Sequence, residues 1–121
     1  MAVQFLIVGL GGAIGSMARY GCSALLPTKN FPITTLLINI IGSLLIGIII
    51  GASIKYSTLS NYYKLFFATG ICGGFTTFST FSLENMQLLQ QGKFVTCAMY
   101  IFLSIALSIA FTMFGYKIFN L

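Results

Sequence analysis

Residues 70–84 read G-I-C-G-G-F-T-T-F-S-T-F-S-L-E, inside an apolar segment long enough to cross a bilayer. Gly70, Gly73 and Gly74 each lower helix propensity by ~1 kcal/mol relative to alanine. Five hydroxyl residues follow almost at once: Thr76, Thr77, Ser79, Thr80 and Ser82. Among them Phe75, Phe78 and Phe81 are spaced i, i+3 and i+6, which predicts that they fall along one slowly turning helical face. In hydrocarbon every backbone N–H and C=O must be satisfied internally. Loosened backbone survives there only where protein or a watery cavity meets it. The stretch therefore predicts a discontinuous membrane helix that holds an ion site.

The rest of the composition puts that segment in lipid. The chain of 121 residues is 58% hydrophobic and 6% charged, with a mean hydropathy of +1.01, whereas a soluble domain carries ~25% charged residues. By length it is one domain. Its net charge of +5 does not point to nucleic acid. Arg19, Lys29, Lys55, Lys64, Lys93 and Lys117 are dispersed at segment ends rather than gathered into a phosphate-binding patch, and the excess arises because Glu84 is the single acid. Cys22, Cys72 and Cys97 form no C-x-x-C pair and histidine is absent, so the pattern offers no zinc site and the thiols read as small packing residues. The first apolar run lacks a basic n-region and an A-x-A cleavage pattern, and is read as a mature helix.

Four helices are predicted, over residues 3–26, 33–54, 62–90 (interrupted) and 95–118, each long enough for a core that takes ~20 residues. A turn bounded by Pro27 and Pro32, the polar stretch from Lys55 to Asn61 and a short turn at Gln90–Lys93 connect them. Four spans place both termini on one side. That side carries Lys55, Lys64 and Lys117, and the other carries Arg19, Lys29 and Lys93, so the positive-inside rule gives almost no orientation. Either the protein simply has few charges, or copies insert both ways and pair antiparallel.

Small and polar residues recur every fourth position. Gly11 and Gly15 on the first helix form a seam for close packing. Together with Gly9 they superficially resemble a dinucleotide-binding loop, but no strand or βαβ unit surrounds them. Arg19, near that helix's end, is expected to snorkel to the interface, with an anion-attracting vestibule as the alternative. The second helix carries Thr35, Asn39, Ser43, Gly47 and Gly51. Asn39 reads first as glue between helices, second as a donor to something passing. The fourth helix carries Tyr100, Ser104, Ser108 and Thr112, a ladder of hydroxyls ~6 Å apart along the axis. A single membrane serine bonding back to its own helix would mean little. Three polar elements together predict a lined pathway for a small ion. Hydroxyl and amide donors with phenyl edges favour an anion, while carbonyls of a glycine-rich break could serve a cation.

The chain resembles the Fluc fluoride channels, also called CrcB, over nearly its whole length. The likeness rests on the run Gly11 to Tyr20, on Thr35 and Leu36 with Asn39 and Gly42, and above all on the run Gly70 to Ser82. It departs at Thr34, where the family usually has glycine, and at Leu44, where an aromatic is common; neither touches the inferred ion path. The resemblance implies an all-α membrane protein of four helices, the third broken, assembled as an antiparallel dual-topology homodimer in the cell membrane. It implies two fluoride pores and a central structural sodium ion (Na+). Carried over by position, Asn39, Phe78, Phe81, Tyr100, Ser104 and Ser108 would form the fluoride pathway, and Gly73 and Thr76 would offer sodium their backbone carbonyls. The implied role is passive export: HF enters as a neutral acid, ionises inside, and fluoride leaves through the pore.

The rival from another class is a small multidrug-type proton-coupled exporter, which needs a carboxylate within the membrane. The chain has no Asp or Glu before Phe81 and no histidine. A purely accessory membrane subunit is opposed by the hydroxyl stripes. No nucleophile, base or metal set points to an enzyme. Glu84, just past the phenylalanines, is expected to meet a basic group at a helix end.

Overall fold

The computed structural model describes residues 1–26 and 31–120. Residues 27–30, with the Pro27 side of the first turn and the Lys29 charge, lie outside them. Helix α1 spans Ala2–Leu25 and α2 spans Ile33–Lys55. The third span comes in two pieces. The first, α3 (residues 61–75), is one helical run made of Asn61–Lys64, a π-helical stretch Leu65–Cys72 and a last turn Gly73–Phe75. After three non-helical residues, α4 spans Ser79–Gln90, and α5 spans Phe94–Phe119. Among the described residues α1, α2 and α5 are long and apolar enough to cross a membrane unbroken. The protein is an all-α multi-pass membrane protein whose third span is divided.

Each pair of long helices is drawn together by the small residues that the four-residue spacing predicted. A β-carbon at Gly15 would collide with the Ile71 carbonyl and stand 2.8 Å from the Phe75 nitrogen, so α1 lies backbone-to-backbone on α3. Gly11 meets the Phe66 carbonyl and the Gly70 α-carbon in the same way. Between α2 and α5, Gly47 faces the Thr112 carbonyl, Gly51 the Tyr116 carbonyl and Gly115 the Leu44 carbonyl. Two side chains tie that seam across: Thr112 Oγ1 donates to the Ser43 carbonyl at 3.1 Å, and Asn120 Nδ2 to the Gly51 carbonyl at 3.1 Å. Without a hydrophobic force between helices in lipid, such close contact and interhelical hydrogen bonds are what hold a bundle together.

The turn between α4 and α5 is closed by Gly92, whose φ of 74° is the one positive φ among the described residues. The Lys93 N–H donates to the Leu88 carbonyl at 2.9 Å and the Gly92 N–H to the Leu89 carbonyl at 3.1 Å. This is the paired bonding of a Schellman cap, in which the left-handed residue carries no β-carbon penalty only as glycine. It folds α5 back so that its first turns cover α4, and Leu88, Cys97, Tyr100 and Leu36 close into a small core.

Candidate functional site: the broken third span and its groove

The break falls after the glycines, not at them. Gly70, Gly73 and Gly74 remain helical, and the chain opens where Thr76 turns extended, with φ −81° and ψ 157°. The physical reason lies on α1: a β-carbon at Gly74 would stand 2.5 Å from the Gly12 carbonyl, and one at Gly70 2.9 Å from the Gly11 α-carbon. These glycines are contact residues, and the hydroxyl residues beyond them take over the freed backbone.

The hydrogen bonds of the break can be followed atom by atom. The Thr76 N–H and its own Oγ1 both donate to the Cys72 carbonyl, at 3.0 and 2.9 Å, ending the first half-helix. Asn39 on α2 then grips Thr77 from both sides. Its Nδ2 donates to the Thr77 carbonyl at 3.0 Å, and its Oδ1 accepts the Thr77 N–H at 2.9 Å. Thr77 Oγ1 accepts the Thr80 N–H at 3.1 Å, in the manner of an N-cap that starts α4. On the other side, Arg19 Nε donates to the Gly74 carbonyl at 3.1 Å. Arg19, expected to snorkel to the interface, is half-buried, and its Nε reaches this carbonyl because the break leaves an acceptor within its reach.

Among the described residues, none of the backbone hydrogen bonds outside the helices ends on the carbonyl of Gly73 or of Thr76. Both residues line a groove of about 510 Å³ on the face of the break turned away from α1. Carbonyls left without backbone donors at a helix break are the groups by which broken membrane helices hold Na+, so the residues present fit such an ion. Among the described residues no cluster of three or more His, Cys, Asp or Glu side chains offers a competing metal site.

The same groove is lined by Asn39, Phe78, Phe81, Ser104 and Ser108. Tyr100 is not on its wall but beneath it, fully buried. The Tyr100 ring stands edge-on to that of Phe81, with centroids 5.0 Å apart and planes at 63°, and its hydroxyl donates to Glu84 Oε1 at 2.8 Å. Among the described residues Glu84 thus meets a hydroxyl donor, and none of the basic groups expected for it. The three phenylalanines do not share a face. The break rotates the chain between them, so Phe75 is buried, Phe78 is 77% exposed and Phe81 is half-buried against Tyr100. Phe78 and Phe81 still stay together, with centroids 5.6 Å apart.

The ladder on α5 divides by chemistry. Thr112 is occupied, donating to Ser108 and Ser43 carbonyls. Ser104 Oγ is buried with no partner, although it borders the groove. A buried hydroxyl without a bond costs about 1–3 kcal/mol, a cost relieved by an acceptor arriving in the groove. Asn85 was missed by the sequence reading. It is buried, its Nδ2 donates to the Phe81 carbonyl at 2.9 Å, and its Oδ1 lies 3.2 Å from Cys97 Sγ. An amide one turn past Phe81, beside the single acid Glu84, is the signal that could have found it.

The chain matches the family described as "CrcB-like protein, Camphor Resistance (CrcB)" over residues 6–116. A "Fluoride-specific ion channel FluC" of Azobacteroides pseudotrichonymphae is 44% identical over 119 residues, covering 96% of this chain and 95% of the relative. A protein of the same description from Thermus thermophilus is 42% identical over 118 residues, covering 95% and 94%. Another from Ruminiclostridium cellulolyticum is 46% identical over 116 residues, covering 93% and 86%.

Proposed function

The chain belongs to the CrcB-like family of fluoride channels, and on that premise we propose that it carries fluoride passively out of the cell along the groove beside the broken span. It is a multi-pass protein of the cell membrane and a channel rather than an enzyme. The observation that carries the mechanistic reading is the unpartnered, buried Ser104 hydroxyl bordering a groove whose other walls are Asn39, Phe78, Phe81 and Ser108. Fluoride is small and tightly hydrated, and the hard step is removing its water. Donors spaced along α5 replace that water a few bonds at a time. Phenyl edges add weak positive contacts, and no lysine or arginine is among the described residues lining the groove to trap the ion.

A second copy of the chain completes the conduit. Phe78 projects into the open side of the groove, and an antiparallel partner supplies the missing wall, giving two pores related by a two-fold axis in the membrane plane. The even division of Lys55, Lys64 and Lys117 against Arg19, Lys29 and Lys93 supports insertion in both orientations. At the centre, the Gly73 and Thr76 carbonyls of both copies would hold the structural Na+, which would supply there a fixed charge locking the break.

Purified protein in liposomes is expected to release trapped fluoride passively while retaining chloride; equal release of both ions, or of neither, would sink the reading. Phe81→Ile keeps a branched apolar side chain but removes the ring edge. It should slow fluoride release about tenfold, the equivalent of about 1.4 kcal/mol and within the range of aromatic edge contacts. Unaltered release would remove the ring from the pathway.

A further inference from the structure

We infer that Arg19 is a positioning residue for the break: by holding the Gly74 carbonyl toward α1, it keeps the neighbouring Gly73 and Thr76 carbonyls on the groove. The functional part of this inference rests on the channel reading above; its geometric part does not. Gly11, Gly15 and Arg19 follow one another at four-residue spacing, so they share one face of α1. The two glycines bring that face into backbone contact with Phe66, Ile71 and Phe75. A helical side chain lies over the turn N-terminal to its own α-carbon, which returns the Arg19 guanidinium to the level of the Gly15 contact. There its Nε meets the Gly74 carbonyl at 3.1 Å.

That carbonyl has a specific need. In a continuous helix it would accept the Phe78 N–H, but the extended Thr76 removes that donor. Asn39 secures Thr77 from the α2 side, and Arg19 secures Gly74 from the α1 side. The residues between these two anchors, Phe75 and Thr76, have little freedom left. Gly73 and Thr76 both border the groove, whereas Gly74 faces Gly12 on α1. A turn that rolled about its own axis would carry Gly73 and Thr76 off the groove, and Arg19 opposes that roll. The planar guanidinium is suited to this, since its Nε–H is fixed in direction, while a lysine ammonium is a mobile point charge.

The test compares Arg19→Met and Arg19→Lys with wild type in lipid nanodiscs. Amide hydrogen exchange is followed by mass spectrometry on the peptide covering Thr76–Phe78, and fluoride release is followed from liposomes. Both variants should exchange about tenfold faster at the break with the other helices unchanged. Both should release fluoride about tenfold more slowly, and that deficit should persist at 1 M salt, where surface charge is screened within ~3 Å. Arg19→Lys conserves the charge, so it carries the test even where the methionine variant does not fold. Unchanged exchange at the break in Arg19→Lys would overturn the inference. Full rescue by lysine, or a deficit erased by salt, would do so too, because both outcomes belong to a charge that only attracts anions. Wild-type protein that released no fluoride would sink the channel reading instead, and the exchange result would still decide the role of Arg19.

Discussion

Asn39→Asp should abolish fluoride release from liposomes, lowering it by about 10³-fold, while leaving the folded protein largely intact. The two halves of this expectation come from the two faces of the same side chain. Aspartate keeps an acceptor for the Thr77 N–H, the bond now 2.9 Å long, so the break retains one of its anchors. It loses the Nδ2 donor that meets the Thr77 carbonyl at 3.0 Å, which removes a hydrogen bond worth about 0.5–1.5 kcal/mol net. The larger effect is on the ion. Asn39 borders the groove, and a carboxylate ~4 Å from a passing anion at an effective dielectric near 20 opposes it by about 4 kcal/mol, roughly three decades of rate. Thermal unfolding followed by circular dichroism gives the structural effect, and a fluoride electrode on the same preparation gives the flux. Normal release from Asn39→Asp would reduce Asn39 to a clamp on the break and nothing more.

Most of the bundle was legible because lipid makes its demands in composition. Four-residue spacing of Gly11 with Gly15, and of Gly47 with Gly51, marks the faces along which α1 and α2 pack, since only small residues let two membrane helices touch backbones; that the partners are α3 and α5 is seen only in the fold. That the third span would be interrupted was equally readable from glycines beside a run of hydroxyls. Where it would open was not. Glycine lowers helix propensity wherever it stands, and sequence cannot distinguish a glycine that breaks a helix from one that admits a neighbour. Gly70 and Gly74 are of the second kind, and only the positions of Gly11 and Gly12 reveal it. The same limit explains Phe75, Phe78 and Phe81, whose helical phase is lost at a break three residues long. The partners of Arg19 and Glu84 were hidden from the sequence for a related reason. Charge in a membrane helix is assigned to the interface by default, but Arg19 found a freed carbonyl and Glu84 a buried tyrosine hydroxyl, each across more than a dozen residues of sequence.

Gly15→Ala should be among the most damaging single-methyl changes in the protein, and the contrast with Gly9→Ala makes the reason measurable. Both glycines lie in α1, and alanine is the better helix former by ~1 kcal/mol at either place. At Gly9 nothing lies within 4 Å of the added carbon, so that gain should be kept and the melting temperature should hold or rise. At Gly15 the new methyl meets the Ile71 carbonyl and the Phe75 nitrogen, both main-chain atoms. No side-chain rotamer can move aside, so α1 itself must retreat. Overpacking of a rigid core costs about 1–3 kcal/mol, and here the retreat also draws Gly11 off Gly70, Gly12 off Gly74 and Arg19 off the Gly74 carbonyl. Those contacts act together, so the loss should lie at the upper end of that range or beyond it, with fluoride release from the surviving folded fraction falling as well. If Gly15→Ala and Gly9→Ala unfold at the same temperature in the same detergent, α1 is not seated on the broken span, and the break must owe its shape to Asn39 and its own hydroxyls alone.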